Sequence, residues 1–277
     1  MNAVLTLAGL TIREALRRRV LVATLLIAAI FVLWAFVPIQ VHSNNGGGFI
    51  SGADDIGKVF AWLGCGMIKF FSSVLAVTLA AGAITAEVER GVLSVVVPKP
   101  LSRASIYLGK WLGLIALLAV SVALWGALLV LAIWHRTGTF HPHILLGILA
   151  TFLFPTLFVT LTLCFSSFAG FALSAGLSLI AAGVALAEDM LAFLGRILNS
   201  SILDTLSKVV GYVVPLGKMN HWITKGLGDA GRDMSDFRAQ LMGQPPLDAT
   251  TGDLVYIFGY IVVAMIIGMT VFQKRDL

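Results

Sequence analysis

The charged groups that could do chemistry in this chain gather in one place. Residues 84–113 read ITAEVERGVLSVVVPKPLSRASIYLGKWLG, with Glu87, Glu89, Arg90, Lys99, Arg103 and Lys110 set between long apolar runs. Carboxylates and cations at this density suit pairing with another charged surface. Pro98 and Pro100 stop a helix between them. Other chemistries are poorly served. The segment Ala172-Leu173-Ser174-Ala175-Gly176 is a distant echo of a G-x-S-x-G elbow. A serine nucleophile needs a neighbouring base, yet the five histidines, at 42, 135, 141, 143 and 221, all lie outside the apolar runs. Ser174 with Gly170 and Ser178 reads better as a close helix-packing face. His135, His141 and His143 cluster in WHRTGTFHPH, a weak possibility for copper or zinc. Pro142 divides two of them, and no carboxylate or thiol accompanies them. The Gly-Lys pairs at 57, 109 and 217 are followed by Val, Trp and Met, so no G-x-x-x-x-G-K-[ST] loop is present. No ATP hydrolysis is expected of this polypeptide, and no cofactor is expected to be bound by it.

The apolar runs that must position the charged stretch dominate the composition. Hydrophobic residues make up 58% and charged residues 12% of 277. Soluble domains carry about 25% charged residues, so this chain cannot cover a globular surface. It reads as an all-α integral membrane protein. A crossing helix needs about 20 apolar residues. The sequence offers six, at 20–37, 70–86, 107–134, 144–165, 170–187 and 254–272. Pro155 predicts a kink in the fourth, and Ser166, Ser167 and Gly170 mark a tight hairpin between the fourth and fifth. The whole chain reads as a single transmembrane domain.

Lys and Arg set the orientation. With the amino terminus inside, the inner segments hold Arg13, Arg17, Arg18, Arg19, Arg90, Lys99, Arg103, Lys110, Lys274 and Arg275. The short outer loops hold Lys58 and Arg136, with Lys69 at an outer span end. Both termini are therefore expected in the cytoplasm of a plasma (inner) membrane. The net charge of +5 is accounted for by this asymmetry, without nucleic acid. No A-x-A-like site follows the first run, which is kept as a permanent span. Residues 1–19 have helical spacing, with Leu5, Ala8, Ile12, Ala15 and Leu16 on one face. Arg13, Arg17, Arg18 and Arg19 would anchor this helix to anionic lipid headgroups. Residues 188–253 form a long outer segment, expected to hold one or two helices and a turn at Pro245-Pro246.

The loop at 87–106 then has an anatomy. The second span continues through Glu87 and Glu89, Gly91 permits a bend, and Ser102 caps a new helix feeding the third span. A stiff knob of this kind could carry a push from a soluble partner to two helices. With AEVERGVLSVVVPKPLSRASIYLGK, the basic amphipathic start, the long segment after the fifth span and the ending VFQKRDL, the chain resembles the permease subunit of ABC type-2 exporters, the type V transmembrane fold. The loop carries the family's E-x-E-x-G-x-L, P-L-S-R and G-K elements; Pro98 is an extra proline.

That resemblance implies an amino-terminal elbow helix, a cytoplasmic coupling helix between spans 2 and 3, and external helices between spans 5 and 6. It implies a second permease, as homodimer or heterodimer, and a separate cytosolic ABC ATPase holding the ATP and Mg. Glu87, Glu89, Arg90, Gly91, Leu93, Pro100, Leu101, Ser102 and Arg103 would form the ATPase-facing surface. The spans, rich in Leu, Ala, Phe, Ser and Thr, suit amphipathic or lipid-like cargo. The competing readings are a membrane scaffold that anchors a soluble partner without transport, and an intramembrane hydrolase.

Overall fold

The computed structural model describes residues 2–16, 26, 30, 53–89, 102–242 and 249–274. The expected first span at 20–37, apart from residues 26 and 30, lies outside them, as do the turn at Pro245-Pro246 and residues 90–101. Among the described residues there are ten helices and no strand: α1 (Asn2–Leu16), α2 (Ala53–Glu89), α3 (Arg103–Thr137), α4 (His143–Thr151), α5 (Leu153–Ser166), α6 (Phe171–Ile197), α7 (Ser201–Val213), α8 (Leu216–Gly226), α9 (Asp229–Met242) and α10 (Thr251–Lys274). Among the described residues, five stretches are long and apolar enough to cross a membrane: Gly57–Thr85, Arg103–Thr137, His143–Ser166, Phe171–Ile197 and Thr251–Lys274.

α2 begins well before the expected span at residue 70. Gly57, Gly64 and Gly66 hide the helix in the sequence, but Ala61, Cys65 and Ile68 repeat at helical spacing and are buried. Its 37 residues are about 55 Å long at 1.5 Å per residue, well beyond the hydrocarbon thickness. The fourth expected span is interrupted at Phe152, between α4 and α5. Pro155 lacks the N–H that would reach the carbonyl of Thr151, and its ring crowds that carbonyl, so the ladder breaks there. The hairpin between α5 and α6 is present, with Ser166 and Ser167 fully buried in it.

α2 lies at the centre, packed on α3, α5 and α6. α10 lies against α5 and α3. The outward sides of α6 and α10 are apolar, with Leu173, Leu179 and Ile180 on one and Val255, Phe258 and Val262 on the other exposed. A face of this kind suits lipid. Three helices, not one or two, follow α6. α7 turns back along α6 through Asn199, whose positive φ of 47° makes the reversal, and α8 and α9 pack on α4 and α2.

α1 meets α3 through part of the apolar face read from the sequence, including Ala8 and Ala15. Leu5 is 62% exposed, whereas Ala8, Thr11 and Ala15 are buried. The cause is on α3, where Gly109-Lys110-Trp111-Leu112-Gly113 is a G-x-x-x-G pattern. A Cβ on Gly113 would stand 2.7 Å from the Ala8 carbonyl oxygen, and one on Gly109 would stand 2.7 Å from Leu7 Cβ. The two backbones approach because both sides are small, and Leu5 is left facing outward.

The helix ends sort into two groups. The end of α2, the start of α3, α1 and the end of α10 lie together. The start of α2, α8, α9 and the start of α10 lie at the other end, joined by Lys58–Asp233 at 2.6 Å and Lys218–Asp253 at 3.2 Å. Cysteines replacing Ser102 and Arg232 should therefore react with an impermeant maleimide from opposite sides of intact cells. Labelling of both from one side would contradict this topology. Gly113→Leu should separate α1 from α3 and destabilise the purified protein by about 1–3 kcal/mol, the usual range for overpacking. Thermal unfolding in detergent checks this.

Candidate functional site: the stem of the α2–α3 connection

The expected ATPase-facing residues fall around the junction of α2 and α3. Glu87 and Glu89 lie in the last turns of α2, whose backbone is helical to Glu89. Arg90, Gly91, Leu93, Pro100 and Leu101 lie outside the described residues. Ser102 occupies the cap position of α3 with φ −67° and ψ 140°. Its hydroxyl oxygen accepts from the Ser105 N–H at 3.2 Å, and the two hydroxyls stand 2.7 Å apart. This satisfies one of the orphan donors that every helix start exposes. The following Arg103 donates from Nη1 to the Gln273 carbonyl at 3.0 Å. A cation on the last carbonyls of α10 also complements that helix's dipole.

Deeper in the stem, two cross-helix bonds are made to the main chain of α2. Lys110, only 4% exposed, donates from Nζ to the Ala83 carbonyl of α2 at 2.5 Å. Ser166, at the end of α5, donates to the Ala81 carbonyl at 3.2 Å. Thr85 also donates to Ala81 O, at 2.8 Å. The buried run Ala80-Ala81-Gly82-Ala83 is small throughout, which lets two other helices reach the α2 backbone. Trp111 Nε1 donates to Thr160 Oγ1 at 2.9 Å, tying α3 to α5. Tyr107 is fully buried against Phe272, with ring centroids 6.2 Å apart, and rests on Gly268. The start of α3 is thus joined to α1, α2, α5 and α10.

Other residues singled out in the sequence lie elsewhere. Arg13 is exposed in the last turn of α1, while Arg17, Arg18 and Arg19 lie outside the described residues. His135, His141 and His143 are exposed at the far end of α3 and the start of α4. Among the described residues, no group of three or more His, Cys, Asp or Glu could hold a metal ion. Ser174 donates to the Phe171 carbonyl at 3.0 Å, and Ser178 pairs with Thr162 at 2.8 Å across α6 and α5. Those hydroxyls serve the packing face. Cys65 and Cys164 are buried free thiols. At the far end, Lys69 is a donor to Asn220 Oδ1 at 3.0 Å and lies over the Phe154 ring at 5.0 Å.

The model of the ABC-2 family transporter proteins matches residues 5–277. The chain belongs to the ABC-2 transporter family. No curated protein matches it. As an ABC-2 permease subunit, the chain is a multi-pass membrane component of a transporter, and not its ATPase; the family implies an ABC ATPase subunit as partner. Sequence reasoning counted Lys110 among the basic loop residues, read Gly109 only within a Gly-Lys pair and Ser166 only as a hairpin marker, and did not single out Gly113 or Asn220. For two of them a signal was present: G-x-x-x-G spells a close helix contact, and Lys110 sits inside it, two turns into an apolar helix. The carbonyl partners on α2 have no signature, because any residue supplies one.

Ser102→Ala should fray the start of α3 by about 0.5–2 kcal/mol. Hydrogen exchange at the Ser105 amide should quicken, with exchange at the middle of α3 unchanged.

Proposed function

We propose that this ABC-2 permease subunit forms the translocation path of an ATP-driven exporter. In this reading the segment 87–106 is a coupling element on the cytoplasmic face, and a separate cytosolic ATPase docks on it. Two permeases pair in the membrane. The reading has six spans, with the first at 20–37, α1 as an elbow helix on the inner surface and α7 to α9 as external helices. Both termini are cytoplasmic, and the membrane is the plasma (inner) membrane. ATP and Mg belong to the partner. The amphipathic or lipid-like class of cargo follows from the apolar and hydroxyl-bearing spans.

The observation that supports this best is the convergence of four helices on the start of α3. Gly109 and Gly113 seat α1, Lys110 reaches α2, Trp111 reaches α5 and Arg103 reaches α10. A displacement applied at Ser102 is therefore delivered to most of the bundle. A simple connector between two spans needs no such fixing. The sequence also brings both signs of charge to this connection, with Glu87 and Glu89 in the last turns of α2 and Arg103 at the start of α3.

Reversing two carboxylates that face a cationic partner removes attraction and adds repulsion. Glu87→Lys with Glu89→Lys is expected to weaken capture of the ATPase by the detergent-solubilised permease about tenfold or more, which is about 1.4 kcal/mol. Permease-dependent stimulation of ATP hydrolysis should fall with it. Unchanged capture and stimulation would remove these residues from the interface. Capture without any effect on ATP hydrolysis, in the unaltered protein, would favour the scaffold.

A further inference from the structure

We propose that Lys110 is a positioning residue that locks the two stems of the α2–α3 connection together, so that they move as one lever. The inference rests on the transport reading above and deepens it. An ammonium near the end of an apolar helix ordinarily bends outward to water or headgroups. Lys110 does the opposite. It lies 4% exposed and spends a donor on the Ala83 carbonyl of the neighbouring helix. Burying a cation there is costly unless it is bonded, so the site is specified by geometry and is not an accident of flexibility.

The position of the bond carries the argument. Ala83 lies six residues before the end of α2 at Glu89, and Lys110 lies seven residues after the start of α3 at Arg103. At 1.5 Å per residue both distances are about 10 Å. The bond is a rung set at nearly equal depth across two antiparallel stems. A second rung from the same turn of α2, Ser166 Oγ to Ala81 O, ties in α5. Because the Lys110 acceptor is main chain, the lock grips the α2 backbone itself and leaves no side-chain rotamer on that helix through which motion could be lost. Gly109 and Gly113, on either side of Lys110, hold α1 against the same turns of α3.

The test uses the full-length permease in nanodiscs, alone and with its ATPase. Spin labels at Thr78→Cys on α2 and Leu112→Cys on α3 report the separation of the stems. The unaltered protein should give one narrow distance that is the same with and without ATP. Lys110→Met, which keeps the length and loses the donor, should broaden that distance and cut permease-dependent stimulation of ATP hydrolysis about fivefold. Capture of the ATPase should not change. Lys110→Arg, which keeps a donor, should retain the narrow distance. The proposal is overturned if Lys110→Met leaves the distance distribution as it was. It is also overturned if the stems loosen while stimulation is untouched, since the bond would then be structural only. Should Lys110→Met fail to fold, the unaltered protein still decides: stems that separate on ATP binding are not locked. Failure of the unaltered permease to capture the ATPase would sink the transport reading, while the distance measured in the permease alone would still judge the lock.

Discussion

Lipid tails are as apolar as leucine, so helices inside a bilayer gain little by burying apolar surface against each other. The arrangement here depends instead on backbones that approach closely enough for cross-helix hydrogen bonds and dense packing. Small residues make that approach possible. Gly109 and Gly113 admit α1, and Ala80-Ala81-Gly82-Ala83 admits α3 and α5 to the carbonyls of α2. Elsewhere Ser178 and Thr162 meet hydroxyl to hydroxyl between α5 and α6. Each contact sits where a larger residue would hold the helices apart.

The two ends of the bundle use different chemistry. Where α2 gives way to α3, the cross-helix bonds run mostly from side chains to main chain, and those of Lys110 and Ser166 are buried. At the other end they run mostly between side chains: Lys58 with Asp233, Lys69 with Asn220 and Lys218 with Asp253. Lys58 and Asp233 are well exposed, and exposed pairs contribute little, about 0–1 kcal/mol, and weaken in salt. The ion pair that ties α9 to α2 is therefore a weak fastening. The stem has a cap, a charge on a helix terminus and a buried lysine in its first eight residues, all on α3.

The chain's polar groups also show how a mostly apolar sequence keeps a unique structure. Threonine and serine within the spans, such as Thr78, Thr85, Ser121 and Thr151, bond back to carbonyls of their own helix. They carry polarity through the membrane without an open partner. Pro155 breaks one span at Phe152 and Asn199 reverses another, each by its own backbone restriction.

Much of this was legible in the residues. Apolar length and the scarcity of charge determined a multi-pass helical protein, Pro155 and the Ser166–Gly170 region marked the break and the hairpin, and Ser102 announced the start of α3. Those are local properties: hydropathy, a missing N–H, a cap. Three things were settled only by the tertiary structure. α2 was longer than its apolar core, because its early glycines look like breakers until Ala61, Cys65 and Ile68 are seen buried. α1 turned Ala8, Thr11 and Ala15 onto α3 and left Leu5 outside, because the groove it fits belongs to α3, about a hundred residues away in the chain. Lys110 became a bridge to α2 and not a loop charge, because its acceptor is a backbone carbonyl. Every residue has such a carbonyl, so only the packing of distant helices selects the one at Ala83.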